Sequence, residues 1–129
     1  MSEVGARQSV IDAGRETGRL GLNLGASGNV SLRTDGGFLI TPTGLGYDAL
    51  SPGDIVLVAA DGEVPLAEDG SKQRLPSSEW RFHMDIFRAR PDVNAIVHTH
   101  SMFATALACT RQDIPDFHYM VAAAGGADI

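Results

Sequence analysis

Glycine placement constrains this chain more than any other feature. Its fifteen glycines fall mostly between apolar runs, and they divide the sequence into short elements joined by tight turns. Val4, Ala6, Val10, Ile11, Ala13 and Leu20 make a loose helical pattern from about Val4 to Leu22, which Gly21 and Gly25 stop. Asn29 to Arg33 alternates polar and apolar residues, and Gly37 to Thr41 is apolar and β-branched. With Asp35-Gly36-Gly37 between them, these runs predict a hairpin. Pro42-Thr43-Gly44 is a turn, Asp54 to Ala59 a strand, and Asp61-Gly62 a second hairpin turn leading to Val64.

Further along, Glu68 to Arg74 is polar and is expected to be a flexible loop. Ser77 to Arg90 reads as a helix with Trp80, Met84 and Phe87 on one face, ended by Pro91-Asp92. Asn94 to His100 is a strand and Met102 to Thr110 a second Ala- and Leu-rich helix. Ile114 to Ala124 is compatible with a strand that ends at Gly125-Gly126. Interspersed strands and helices, with early strands in antiparallel hairpins, predict an α+β or mixed α/β class.

Composition removes several functions. At 129 residues the chain is one domain's worth at most, and its formal charge of -6 lacks the basic balance of a general nucleic-acid binder. No apolar run approaches the roughly 20 residues of a membrane span, so no membrane partner is expected. No secretory or basic amphipathic leader is recognisable at the start. Cys109, the single cysteine, cannot form an internal disulfide, and a cytoplasmic location is expected. Its Ala-Leu-Ala-Cys setting reads as core rather than nucleophile.

Three patterns carry chemistry. His98-Thr99-His100 ends a predicted strand, and residues i and i+2 of a strand share a face, so two imidazoles can converge on one transition metal. Two surface or packed histidines at a strand end would look the same. Pro76-Ser77-Ser78-Glu79 opens the Trp80 helix, where backbone N–H groups and hydroxyls suit a phosphate. Plain capping by serine explains it equally. Gly25-Ala26-Ser27-Gly28-Asn29 and Thr41-Pro42-Thr43-Gly44 are turns that let backbone approach an anion, although hairpins need glycine regardless. His83 reads as a partly exposed helix residue and not a ligand. His118-Tyr119-Met120 holds a tyrosine that could act as an acid if oriented. Neither a Walker A loop nor a Gly-x-Ser-x-Gly elbow is present.

Taken in order, Gly28-Asn29-Val30-Ser31, Ile40-Thr41-Pro42-Thr43-Gly44, Pro76-Ser77-Ser78-Glu79 and His98-Thr99-His100 resemble the class II aldolase/adducin family. Ser77-Ser78-Glu79-Trp80-Arg81-Phe82-His83 and Phe117-His118-Tyr119-Met120, with the Ala- and Gly-rich run after it, are similar to the branch that cleaves ketose 1-phosphates. The resemblance runs from Arg7 to the end. It implies an α/β/α domain over residues 1–129, with a mixed, largely antiparallel central sheet and flanking helices. The C-terminal part of that domain is expected to be missing from residues 1–129, which are then either a fragment of a longer aldolase or a naturally shortened, inactive product.

What else the resemblance implies is specific. The activity would be metal-dependent aldol cleavage of L-fuculose 1-phosphate or a deoxypentulose 1-phosphate, giving dihydroxyacetone phosphate and an aldehyde through a metal-stabilised enediolate. His98, His100 and Glu79 would hold Zn²⁺, or another divalent ion such as Mn²⁺ or Co²⁺, with the family's third histidine further along. Glu79 would also shuttle the proton. Gly28, Asn29, Thr43, Gly44, Ser77 and Ser78 would seat the substrate phosphate. Tyr119 would reach across subunits of a homotetramer to help protonate the leaving oxygen. Neutral imidazoles leave more of a metal's charge for Lewis-acid work than thiolates do. The sole lysine, Lys72, lies in the polar loop and is not placed as a Schiff base. Two other readings accompany this one: a sugar-phosphate epimerase, dehydratase or decarboxylase of the same superfamily, and a non-catalytic adducin-like interaction module. The glutamate at position 79 favours the aldolase, since the related epimerases carry aspartate there.

Overall fold

In a computed structural model of the chain, residues 2–116 and 118–125 are described. Contacts divide the chain after Thr99 into two compact units.

The first unit begins with α1 (Glu3–Arg19), whose N-terminus is capped by the Ser2 hydroxyl accepting from the Gly5 N–H at 3.2 Å. Four strands follow: β1 (Asn29–Thr34), β2 (Gly37–Ile40), β3 (Val56–Ala59) and β4 (Ala95–His98), with α2 (Trp80–Ala89) between the last two. They form one antiparallel sheet in the order β3-β2-β1-β4. The expected hairpin is present, with Thr34 paired to Gly37.

Strand alternation sends the two faces of this sheet to different partners. Val30 and Leu39 meet Ala6, Val10 and Ile11 of α1, with Tyr47, Leu50 and Ile55 closing that cluster. Phe38, Ile40, Val56 and Val58 meet Phe87 of α2, with Trp80, Met84 and Ile96 around them. One helix on each face gives the expected α/β/α layering. Arg33 fastens the end of α2: its guanidinium donates to the carbonyls of Val93 (2.8 Å), Phe87 (2.8 Å) and Arg90 (3.0 Å) and lies 4.7 Å from the Phe87 ring centre.

Several expectations are corrected. The Asp61-Gly62 turn forms, with Ala59 N–H donating to the Glu63 carbonyl at 2.8 Å, but no strand follows it at Val64. The loop from Glu68 to Arg74, expected to be flexible, is stitched to β3 by Gln73. Its side chain accepts from the Leu57 N–H (2.8 Å) and donates to the carbonyls of Leu57 (3.3 Å) and Pro65 (2.8 Å). The Ser77 helix starts three residues later, at Trp80, because Ser77 to Trp80 is a hydrogen-bonded turn.

The second unit holds α3 (Met102–Cys109) and a 3₁₀ segment, Tyr119–Ala124, where a strand was considered. Phe117 and residues 126–129 lie outside the described residues. Helix α3 buries none of its side chains, so Cys109, read as core, is exposed. A helix apolar all round carries no periodicity from which a buried side can be inferred. No helix among the described residues is long and apolar enough to cross a membrane.

Candidate metal centre

The site grows from the sheet face that carries α2. Pairing places Asn29, the first residue of β1, opposite His98, the last residue of β4, and paired residues share a face. Residue types along this face change abruptly. Phe38, Ile40 and Ile96 are apolar, whereas Asn29, Ser31 and His98 at the β1–β4 end are polar. Asn29 and Ser31 are nevertheless 1% and 0% exposed, so each needs partners.

Those partners come from the start of α2. The Asn29 amide donates to Ser77 Oγ at 3.0 Å and to Glu79 Oε2 at 2.7 Å. The same Glu79 oxygen lies 3.3 Å from His98 Nε2. Ser77 Oγ also faces the Glu79 N–H at 3.4 Å, so the serine caps the turn that presents the carboxylate. The Phe82 ring packs edge-on to His98, 5.1 Å between centres, and limits the imidazole's orientation.

His100 follows two residues after His98 along the chain. Strand β4 ends at His98, so the two histidines are not both strand residues as the sequence suggested. Glu79 and His98 belong to the first unit, and His100 opens the second. Zinc bonds of about 2.0–2.2 Å to nitrogen and oxygen in a tetrahedron separate neighbouring ligands by about 3.3 Å, as the Glu79–His98 pair already does. Two imidazoles and a carboxylate are a donor set for zinc or a similar divalent ion.

Gly28 shapes the same end of the sheet. Its φ is +72°, and a Cβ there would fall 2.5 Å from the His98 carbonyl oxygen and against the Asn23 side chain. Only glycine lets the chain enter β1 this close to the histidine strand. Thr43 and Gly44 arrive because the chain after β2 runs beside Leu75–Ser77: Thr43 N–H donates to the Leu75 carbonyl (3.1 Å), and Ser77 N–H to the Thr41 carbonyl (3.0 Å). Thr43, Gly44 and Ser78 are exposed at this end. Nothing lies within 4 Å of a Cβ built on Gly44, so its backbone is open to an approaching group. Gly28, Asn29, Ser77 and Glu79 are thus gathered within the first unit. Tyr119 belongs to the second unit and is 79% exposed.

Sequence reasoning missed His83. Expected at the surface, it is fully buried. Its ring nitrogens face Ser31 Oγ at 2.7 Å and Asn29 Oδ1. Desolvation, reinforced by the nearby His98 and opposed by Glu79, pulls its pKa down to about 4. The signal for it was spacing: His83 lies four residues after Glu79 and therefore faces the same way. A groove of about 940 Å³ lies elsewhere, lined by Arg15, Arg19, Asn23, Gly25 and Tyr47 among others. Tyr47 is buried there, which pushes its hydroxyl up to about 12, and it donates to the Ser27 carbonyl at 3.2 Å.

A sheet layered with helices, carrying a Glu79–His98 pair at the head of a helix, defines a class, and residues 8–129 match the family described as Class II Aldolase and Adducin N-terminal domain. The chain belongs to that family. It is 52% identical over 128 residues to a 5-methylthioribulose-1-phosphate/5-deoxyribulose-1-phosphate aldolase of Rhodospirillum rubrum, covering 99% of this chain and 55% of the relative. It is 50% identical over 124 residues to the L-fuculose phosphate aldolase of Escherichia coli K12, covering 96% and 54%. A solved L-fuculose 1-phosphate aldolase superposes with a TM-score of 0.83 at 35% identity, over 95% of this chain and 56% of that one. The enzyme of that name from Thermus thermophilus gives 0.66 at 32% identity, over 81% and 50%. The chain spans about half the length of the relatives it matches.

Proposed function

We propose that the full-length protein is a metal-dependent aldolase that cleaves a ketose 1-phosphate to dihydroxyacetone phosphate and an aldehyde. One observation carries the reading: the Glu79 carboxylate stands 3.3 Å from His98 Nε2 at the head of α2, with the hydroxyl of Ser77 beside it. The named relatives act on 5-methylthioribulose 1-phosphate, 5-deoxyribulose 1-phosphate or L-fuculose phosphate, which supports this substrate class. Residues 1–129 would then be one incomplete aldolase domain whose remaining metal ligand lies further along the chain.

His98, His100 and Glu79 would hold a divalent ion, which when bound would supply Lewis-acid stabilisation of negative charge. Zinc suits the donor set, and manganese or cobalt would be accepted by it. The other work falls to the chain. Glu79 moves a proton to or from the carbon that loses its partner. Ser77, Ser78, Thr43 and Gly44, with Gly28 and Asn29, receive the phosphate at the start of α2, where the helix dipole favours an anion. A fixed phosphate sets which bond lies over the carboxylate. Tyr119 serves as the acid for the leaving oxygen, delivered by a neighbouring subunit of a homotetramer.

The test is metal content and release of dihydroxyacetone phosphate by the full-length protein, with L-fuculose 1-phosphate and 5-deoxyribulose 1-phosphate as substrates. About one metal ion per chain and cleavage of either substrate, abolished in Glu79→Gln, is the expected result. A full-length protein that holds no divalent metal and releases nothing refutes the reading and leaves an adducin-like interaction module. Turnover without dihydroxyacetone phosphate indicates an epimerase, dehydratase or decarboxylase.

A further inference from the structure

Behind Glu79 a line of polar groups runs through Asn29 to His83 and Ser31, and neither the metal nor the phosphate requires the last two. Ser31, His83 and Asn29 are all buried, and they connect in that order to the Glu79 carboxylate. The same sheet face is otherwise packed with Phe38, Ile40, Val56 and Val58. An apolar side chain of similar volume in place of His83 would fill that space without demanding partners.

Hydrogen-bond counting fixes the direction of the line. The Asn29 Nδ2 group has two hydrogens, and both are used, on Ser77 Oγ (3.0 Å) and on Glu79 Oε2 (2.7 Å). Asn29 Oδ1 is therefore the acceptor facing His83, and His83 Nε2 carries the proton and donates it. His83 Nδ1 then holds the lone pair and accepts from the Ser31 hydroxyl at 2.7 Å. Reversing the Asn29 amide would set its carbonyl oxygen against the Glu79 carboxylate, a repulsive contact, and would require the opposite His83 tautomer, with Nδ1–H donating to Ser31 Oγ.

We infer that His83 is a positioning residue: its Nε2–H holds the Asn29 amide in the one orientation that donates to Glu79 and Ser77 together, so that the proton-moving carboxylate and the phosphate seat are set by a single group. The inference rests on the proposed role of Glu79. Neither His83 nor Ser31 touches substrate or metal. Their effect passes through Asn29.

The test uses the full-length, metal-loaded protein with ¹⁵N-labelled histidine. The His83 ring is expected as the neutral Nε2–H tautomer at neutral pH, and the Asn29 side-chain amide protons exchange slowly. His83→Gln keeps an N–H near the Nε2 position and preserves the Asn29 signal, whereas His83→Phe loses it. In kinetics, His83→Phe lowers kcat/KM by about 10- to 100-fold, the usual effect of removing a group that orients a metal-site residue, with bound metal unchanged. His83→Gln recovers most of that loss. In an Asn29→Ala background His83→Phe costs nothing more, since its route is gone. An Nδ1–H tautomer, a His83→Gln as impaired as His83→Phe, or independent effects of positions 29 and 83 would overturn the inference. If the protein cleaves no ketose phosphate, the aldolase reading fails by itself. The tautomer and the Asn29 amide signal then decide whether His83 orients Asn29 toward Glu79. If His83→Phe does not fold, the tautomer and His83→Gln remain decisive.

Discussion

Replacing Gly28 by alanine tests whether the close approach of β1 to the His98 strand positions His98 as a proposed metal ligand. Two costs arise, and a matched control separates them. The first is conformational: Gly28 has φ +72°, where a side chain costs about 1–2 kcal/mol. Gly21 has φ +71° and nothing within 4 Å of a built Cβ, so Gly21→Ala carries this cost alone. The second is steric. At Gly28 the new Cβ meets the His98 carbonyl oxygen at 2.5 Å and the Asn23 amide oxygen at 2.6 Å. Asn23 cannot swing away freely, because it is 3% exposed and donates to Thr17 Oγ1 at 3.1 Å. Overpacking of this kind adds about 1–3 kcal/mol. Urea unfolding should therefore show Gly28→Ala less stable than Gly21→Ala by about 1–3 kcal/mol. Relief of the clash pushes the His98 backbone outward, so zinc affinity should fall about tenfold or more in Gly28→Ala and stay unchanged in Gly21→Ala. Equal destabilisation of the two variants, or undiminished zinc affinity in Gly28→Ala, would refute the reasoning.

Other expectations follow from single residues. His83 is held neutral with its pKa near 4 against an ordinary 6.5, so the unfolded chain binds more protons between those values and stability falls as pH drops through that window. The loss approaches about 3 kcal/mol by pH 4, and denaturation of metal-free His83→Gln against the parent at pH 7 and 4.5 should show a shallower decline in the variant. An identical slope would contradict it. Arg33→Met removes the three carbonyl contacts at the end of α2 and should cost about 1–3 kcal/mol in urea unfolding with little effect on zinc binding. Ser78→Ala, at an exposed position, should raise the KM for the sugar phosphate about tenfold while leaving kcat nearly unchanged, as loss of uniform binding does. An unaltered KM would remove Ser78 from the phosphate seat.

How far the site could be read in advance differs residue by residue. The His-x-His spacing at the end of an apolar run, and the serines and glutamate at a helix start, are local patterns, and the structure brings His98, Ser77 and Glu79 to one end of the sheet. His83 shows the limit. Its helix has an apolar stripe through Trp80, Met84 and Phe87, and His83, three residues after Trp80 and four before Phe87, lies along it, but a lone histidine there does not announce a buried partner. What buries it is Asn29 and Ser31, some fifty residues earlier in the chain, and no local pattern pairs them.

By itself the sequence determined most of the elements and their order, because glycines, prolines and side-chain period act over a few residues, while ends such as the start of α2 and of β3 moved by two or three residues. It also determined the donor types available to a divalent ion. Tertiary structure alone decided which face each residue occupies. Alternation along Asn29–Arg33 suggested one buried and one wet side, yet α1 covers Val30 while the neighbourhood of α2 encloses Asn29 and Ser31. Burial without water makes each polar group there seek a partner, and those partnerships are long-range. They turn a helix cap, a strand asparagine and a buried histidine into one connected support for Glu79.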